Sequence, residues 1–406
     1  MQRATRCCLF TYLHDAYDGR LFSKEALSLR RAGYEVVIIL PTCKLPEDTE
    51  GVEFLFYPHQ SLPRFFFLQQ LLRLFIVIRL GIKANADVYH CHAPPLLCCA
   101  FVIRLYQRIF RRKRSLIIHE IRDFYLQETS LDHSPGLAWR WFLVVWKRLD
   151  RFLQRRCDHI IGTEECKVEA SISYGIPCDR ISVIPHYVRL ELFPPVPKTF
   201  DPRNFVVAYE GMLMFLRGLD KIAEACVALG KRRGIRVKML IAGVWCDQEE
   251  SRVLVDYCEK NREFVDLQLL GWIPHHTVSK MLTQADVCCV VFFSKRYERV
   301  LSGTSAPIKV YEYMASGKPI IGSNLSSLRH SIGEAHCGIL VDVDQGAQGI
   351  ADAMEFYYVH PECLVEHGAN ARRAAEERFN WPIAEKAFLG IYARLLSSRP
   401  NSCQPL

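Results

Sequence analysis

The chain has 406 residues, of which half are hydrophobic and 24% charged, and its formal net charge is +8. That length exceeds one ordinary core and predicts two or three domains, and the balance excludes a disordered or fibrous chain. Nearly all of the positive surplus lies in the first 193 residues, most of it between Arg64 and Arg156 and including the run Arg111, Arg112, Lys113 and Arg114. A basic half of this kind points to an anionic partner, whether a membrane surface, a lipid phosphate or nucleic acid, unless it is simply a solvated face.

In chain order, MQRATRCCLFTYLHD lacks the long apolar region and cleavage site of a signal peptide and reads as a first β-strand. The loop LHDAYDGR follows, where Gly19 would let the backbone approach a ligand, although glycine after a strand is also common turn chemistry. Further strands are predicted at EVVIILP, DVYHCH, SLIIHE, DHIIGT and ISVIPHYV. Two helices between them are unusually apolar. Residues 65–82 contain Arg73 and Arg79 and fall short of the ~20 apolar residues of a membrane span. Residues 137–156 set Arg140, Lys147, Arg148, Arg151 and Arg155 along one side, and Trp141, Phe142, Val145, Leu149 and Phe152 along the other. Each would either pack on the sheet or lie in a membrane interface. No transmembrane helix is predicted.

Four prolines in LFPPVPKTFDPRN mark a linker, after which the pattern repeats with FVVAYEG, VKMLIAG, VDLQLLG, ADVCCVVF, KPIIGS and CGILVD. Apolar runs separated by helices are the signature of strands buried on both faces of a parallel sheet, so the fold class is α/β. The boundaries read 1–193 for the first domain, 194–204 for the linker, 205–378 for the second domain and 379–398 for a last helix returning to the first. The seventeen cysteines, adjacent at Cys7–Cys8, Cys98–Cys99 and Cys288–Cys289 and nowhere in CxxC, read as buried thiols on strands in a reducing, cytoplasmic compartment.

Ligands of such sheets bind at the carboxyl ends of the strands. His119 and Glu120 end one strand; the imidazole would bond a substrate hydroxyl, or else be a histidine satisfied by nearby backbone. They form no HExxH, because position 123 is Asp123. Arg217 and Gly218 follow a strand and open a helix, a pairing suited to phosphate. In SAPIKVYEYMASGKPII, Pro307 suits the first helical position, the amides from Ile308 onward form an anion site, and Glu312 would take vicinal hydroxyls. There is no GxxxxGK[ST] or GxGxxG, and the Asp342–Asp344 pair reads as a turn rather than a metal site.

Together these segments resemble family 4 of the retaining glycosyltransferases over nearly the whole chain. HDAYDGRLFSKEALSLRRAGYEVVII, with its Asp-x-Arg, is similar to the family's opening, DVYHCHAPP and IIHE to its later strand ends, and ISVIPHYV to its last strand of the first domain. YEGMLMFLRGLDKIAEA, LIAGV, LLGWIPHHTVSKMLTQADVCCVVF and PIKVYEYMASGKPIIGS follow in the family's order. The resemblance implies the GT-B fold, two Rossmann-like domains facing a cleft with a C-terminal helix crossing back. It implies retaining, metal-independent transfer from a nucleotide diphosphate-sugar, UDP first, without a cofactor.

By the same resemblance Gly19 approaches the donor, His119 bonds the donor sugar, and Arg217 neutralises the leaving diphosphate beside Gly211. Trp272 and Ile273 hold the base, the amides of Ile308 and Lys309 bind phosphate oxygens, and Glu312 takes the ribose hydroxyls. Two positions depart from the family pattern: Thr304 where a glutamate commonly stands, and Met212 where a basic residue does. The basic first half and its apolar helices fit a saccharide or lipid-linked acceptor, with peripheral contact at the inner membrane face and no nucleic acid. The alternatives are a nucleotide-sugar epimerase or phosphorylase of the same fold, or a non-catalytic subunit binding a partner glycosyltransferase.

Overall fold

The computed structural model describes residues 4–12, 18–45, 48–58, 66–122, 137–293 and 295–398. The chain divides into two compact units, Met1–Pro185 with Ala384–Leu406, and His186–Ile383. In the first, β1 (Arg6–Phe10), β2 (Glu35–Pro41), β3 (Glu53–Tyr57), β4 (Val88–Cys91), β5 (Leu116–Ile121), β6 (His159–Gly162) and β7 (Ile181–Val183) form one sheet. Its order is β3-β2-β1-β4-β5-β6-β7, and every pairing is parallel. In the second, β8 (Val206–Glu210), β9 (Val237–Ala242), β10 (Val265–Leu269), β11 (Val287–Val290), β12 (Ile320–Ser323) and β13 (Gly338–Val341) follow the order β10-β9-β8-β11-β12-β13, again all parallel. Both orders reverse direction at the first strand of the unit, so each half is a doubly wound α/β sheet with ligand-accepting strand ends.

Every apolar run expected to be a strand is one. β3 is the addition: EFLFY sits at the sheet edge with most of its residues partly exposed, so it lacks the Val/Ile run of a strand covered on both faces. Cys7, Cys8, Cys288 and Cys289 are buried on strands, filling space as small apolar side chains. Cys98 and Cys99 instead lie in the helix Pro94–Phe110.

Residues 186–204 cluster with the second unit rather than forming the end of the first domain and a linker. The cause is packing. Phe193 is fully buried in the same core as Val310 and Met314, and Arg372 Nη1 donates to its carbonyl at 3.0 Å. Val188 bridges Asn380, and its carbonyl accepts from Trp381 N–H at 2.8 Å. The last helix, Trp381–Ser397, begins in the second unit and from Ala384 belongs to the first, where Tyr392 Oη meets His90 Nδ1 at 2.8 Å.

The two apolar helices span Phe66–Ala84 and Leu137–Gln154. In the second, Leu153 is buried, while Trp141, Val145, Leu149 and Phe152 stand exposed. Leu71, Leu72 and Phe75 of the first are exposed as well. Among the described residues no helix is long and apolar enough to cross a membrane.

Because Phe193 fills the core of the second unit, Phe193→Ala should destabilise that unit by about 3–5 kcal/mol. Amide exchange should accelerate in β8–β13 and stay unchanged in β1–β7. Acceleration confined to the first unit would contradict this boundary.

Candidate functional site

The second unit builds a cleft from backbone outward. β8 ends at Glu210, and Gly211 follows with φ +117°. Gly243, after β9, has φ +147°, and a Cβ there would lie 1.7 Å from the Gly211 carbonyl oxygen, so only glycine fits. The bare backbone floors a cleft of about 440 Å³ bordered by Glu210, Trp272, Ile273 and His275, a size suited to a small ligand. The Trp272 side chain is largely in solvent at 71% exposure, leaving a ring face open for stacking.

The helix Ile308–Ala315 stands beside that floor. Pro307 occupies its cap, with ψ 146°, one residue ahead of the first helical position expected. Its carbonyl accepts from Val310 N–H at 2.9 Å, and the amides of Ile308 and Lys309 lead the helix, where no preceding turn supplies acceptors. The Lys309 side chain turns back: Nζ donates to the Glu210 carbonyl at 2.5 Å and lies 3.9 Å over the Tyr209 ring. Glu312 is buried, with Oε1 2.6 Å from His275 Nε2.

Glu210 and His275 are absent from the sequence expectations, yet both border the cleft. The Glu210 carboxyl touches that of Glu312; burial and the neighbouring carboxylate push it up to about 8, against the lowering effect of Lys309. The available signals were an acidic residue ending a strand directly before a glycine turn, and a histidine opening the next helix after Pro274. Neither is distinctive without the geometry.

Of the expected donor residues, Gly211, Trp272, Ile273, Lys309 and Glu312 therefore share one connected site, and Ile308 heads its helix. Arg217 closes the short turn Phe215–Arg217. Its guanidinium lies near Tyr209 and Tyr297, and Tyr209 is the ring under Lys309 Nζ. Met212 and Thr304 are exposed. Asp342 caps the turn Val343–Gln345 in a reciprocal box with Gln345.

Gly19 and His119 belong to the first unit. A Cβ at Gly19 would meet nothing within 4 Å. Asp18 next to it accepts from Leu21 N–H at 2.7 Å and pairs with Arg122 at 3.0 Å. His119 is buried at the end of β5, and its Nδ1 donates to the Cys91 carbonyl at 3.3 Å. Burial lowers its pKa, so the ring is neutral and Nε2 is an acceptor.

Behind these residues lies a fully buried cluster. Arg20 Nε is 2.7 Å from both Glu25 Oε1 and Glu120 Oε1; His92 Nε2 is 3.1 Å from Glu25 and His90 Nε2 3.4 Å from Glu120. Arg20 Nη1 also donates to the Ile184 carbonyl at 3.0 Å, fixing the end of the unit. Glu25, His90, His92 and Glu120 bring metal-type ligand atoms within 4.8 Å of one another. The guanidinium is already the cation there, however. With one proton on Glu25, an ionised Glu120 and Arg20 balance, whereas a divalent ion would add buried positive charge.

Burial, then the Glu120 carboxylate, raise Glu25 to about 8. Its folded pKa exceeds its unfolded value, so the folded chain holds the extra proton and stability falls as pH rises toward 8. Buried His90 and His119 have lowered pKa values and act with the opposite sign below about 6.5, so the clean window runs from about 6.5 to 8. Glu25→Gln should flatten the decline of the first unit's melting temperature across that window, by about 2–4 °C per kcal/mol. An unchanged slope would refute a protonated Glu25.

Two family models match the chain. Glycosyltransferase Family 4 covers residues 23–192, and Glycosyl transferases group 1 covers residues 196–377. A stretch of 240 residues, 55% of this chain and 54% of the other, is 26% identical to a D-inositol 3-phosphate glycosyltransferase of Paenarthrobacter aurescens. A protein of the same description from Xylanimonas cellulosilytica is 25% identical over 246 residues, 56% of this chain and 54% of the other. The chain thus spans about half the length of the curated relatives it matches. A sucrose-phosphate synthase from Thermosynechococcus elongatus superposes with TM-score 0.71 at 17% identity, covering 97% of this chain and all of that one. HepE from Anabaena, solved with UDP-glucose, gives 0.69 at 14% over the same shares. WaaG, a glycosyltransferase involved in lipopolysaccharide biosynthesis, gives 0.63 at 14% over 95% of this chain and 99% of that one. Such identities establish the fold alone. The two family models tile the two parallel-sheet units, so each unit matches a glycosyltransferase domain model, and the fold is one shared with solved glycosyltransferases.

Proposed function

We propose that the chain transfers a sugar, with retention and without a metal, from a nucleotide diphosphate-sugar to a saccharide or lipid-linked acceptor. UDP is the first nucleotide to try, since HepE, a neighbour in fold, was solved with UDP-glucose. The observation that carries the reading is one cleft of the second unit lined by the bare Gly211 backbone and exposed Trp272, to which His275 ties buried Glu312 and Lys309 ties the start of Ile308–Ala315.

Each part answers a need of the reaction. As the anomeric C–O bond breaks, negative charge gathers on the leaving diphosphate, and preformed donors there lower the barrier. The amides of Ile308 and Lys309 and the Arg217 guanidinium supply them. Glu312, held by His275, accepts from ribose hydroxyls, and Trp272 offers its face to the base. On the first unit, neutral His119 accepts a hydroxyl proton of the donor sugar through Nε2 in a hydrogen bond. The leaving phosphate takes the acceptor's proton, so no side-chain base is assigned.

The acceptor side rests on the basic first half and its apolar helix faces. Trp141, Val145, Leu149 and Phe152 alternate with Lys147, Arg148 and Arg151 on the exposed surface of Leu137–Gln154, the pattern of a helix lying in a membrane interface. The proposed setting is the inner face of a membrane, in the synthesis of a cell-surface polysaccharide or glycolipid.

Calorimetry without divalent metal should find one of UDP, GDP and ADP binding in the micromolar range. Arg217→Ala should lower turnover by 100- to 1000-fold, equivalent to about 3–4 kcal/mol of transition-state stabilisation. If none of the three binds, the transferase reading fails and the non-catalytic subunit gains. In a separate test, the protein should sediment with anionic liposomes at low salt and be released at high salt. A fully soluble protein would contradict the membrane setting.

A further inference from the structure

We propose that the helix Pro94–Phe110, with the basic residues 111–114 after it, seats the first unit on an anionic lipid bilayer. The inference rests on the membrane setting proposed above, and names the docking element and the charge of the lipid it meets.

Pro94–Phe110 follows β4, an interior strand of its sheet, and packs beside both Phe66–Ala84 and Leu137–Gln154. Right-handed crossovers from β3 to β4, β4 to β5 and β5 to β6 put the three helices on one face of that sheet. The inner side of Pro94–Phe110 is buried through Leu96, Leu97, Ala100 and Ile103. A helix covered on one side only should be polar on the other. This one instead shows Val102, Leu105, Ile109 and Phe110 there, and their exposure rises from 48% to 70% along the helix. Leu71 and Phe75 on one neighbour and Trp141 and Val145 on the other are exposed as well. Apolar exposure shared by three adjoining helices marks an interaction surface rather than scattered side chains.

The charge on the same face has one sign. Asp150 is the only acidic residue in the three helices and in residues 111–114, and it is partly buried, accepting from Gln154 Nε2 at 2.8 Å. Arg104 and Lys113 are committed within the unit, to Asp158 and Asp87. Arg108, Arg111 and Arg112 are exposed and meet no carboxylate among the described residues. Arg112 also takes φ +49°, a left-handed conformation that glycine or asparagine adopts at lower cost. An arginine at that position is accounted for if its guanidinium meets an anion.

The occupant must answer both features. A second copy of the chain would set arginine against arginine across a two-fold axis. A nucleic acid would satisfy the arginines and leave Leu105, Ile109 and Phe110 against its phosphates. An anionic bilayer takes the aliphatic side chains into its acyl boundary and the arginines onto its headgroup phosphates.

The test sediments the full chain at low salt with vesicles of equimolar phosphatidylcholine and phosphatidylglycerol, and with phosphatidylcholine alone. Wild type should bind the first and not the second. Leu105→Ser combined with Ile109→Ser should weaken binding by about tenfold or more. Arg111→Gln combined with Arg112→Gln should weaken it about fivefold per charge and flatten its dependence on salt. Val365→Ser, at a comparably exposed apolar position on the helix Pro361–Glu377 of the second unit, should change nothing. Every replaced side chain is exposed, so melting temperatures should match wild type. If the Pro94–Phe110 variants bind as wild type does while Trp141→Ser with Val145→Ser releases the protein, this inference is overturned and the membrane setting stands. If light scattering shows a wild-type dimer that Leu105→Ser with Ile109→Ser makes monomeric, the face belongs to a second copy and the inference is overturned. If wild type stays soluble with both kinds of vesicle, the membrane setting falls and takes this one with it.

Discussion

The contact between Lys309 Nζ and the Glu210 carbonyl fixes the rest of the second unit's cleft. One ammonium joins the end of β8 to the start of the helix Ile308–Ala315, and it lies over the Tyr209 ring. Gly211 is held to glycine by its φ of +117°, and Gly243 by its φ of +147° and by the Gly211 carbonyl, which a Cβ would strike. The leading amides of Ile308–Ala315, the buried carboxyls and the backbone floor are therefore placed by one another. Moving the lysine would loosen all three.

The first unit is organised around a different cation. Arg20 sits among two carboxyls and two histidines with no exposed side-chain surface, and its other nitrogen holds the end of the unit at Ile184. Charges buried this deeply are stabilising only as a complete set, because removal of one partner leaves the others unpaired. Glu120 illustrates the balance: burial alone would raise its pKa, and Arg20 with His90 holds it well below the ordinary carboxylate value. Its neighbour on β5 is His119, so the ring assigned to the donor sugar stands on a strand end whose other side is pinned. In both units, then, a buried cation organises strand ends.

Much of the architecture was legible because buried parallel strands need Val, Ile and Cys in short runs, and these runs stand out between helices. β3 was not, since an edge strand such as EFLFY need not be apolar on both faces. Which side of Leu137–Gln154 meets the sheet stayed open, because periodicity identifies apolar sides but not their partner; Leu153 is buried and Trp141 exposed. The domain boundary was read from the prolines, whereas Phe193 and Val188 carry the preceding residues into the second core. In the site, Gly211, Trp272, Lys309 and Glu312 were reachable through a motif and its resemblance. Glu210 and His275 were not, because their meaning lies in contacts across 102 and 37 residues of chain that no local pattern records. The Lys309 side chain was likewise missed: its amide was assigned to phosphate, but nothing in sequence shows an ammonium folding back onto a carbonyl.

The most direct test of the central claim, that the second unit holds a nucleotide-sugar donor in this cleft, is a crystal structure of the chain grown with the nucleoside diphosphate it binds. The account predicts diphosphate oxygens on the amides of Ile308 and Lys309 and near the Arg217 guanidinium, ribose hydroxyls on Glu312, and the base against Trp272. A nucleotide bound elsewhere, with the Ile308 amides and Glu312 untouched, would contradict it.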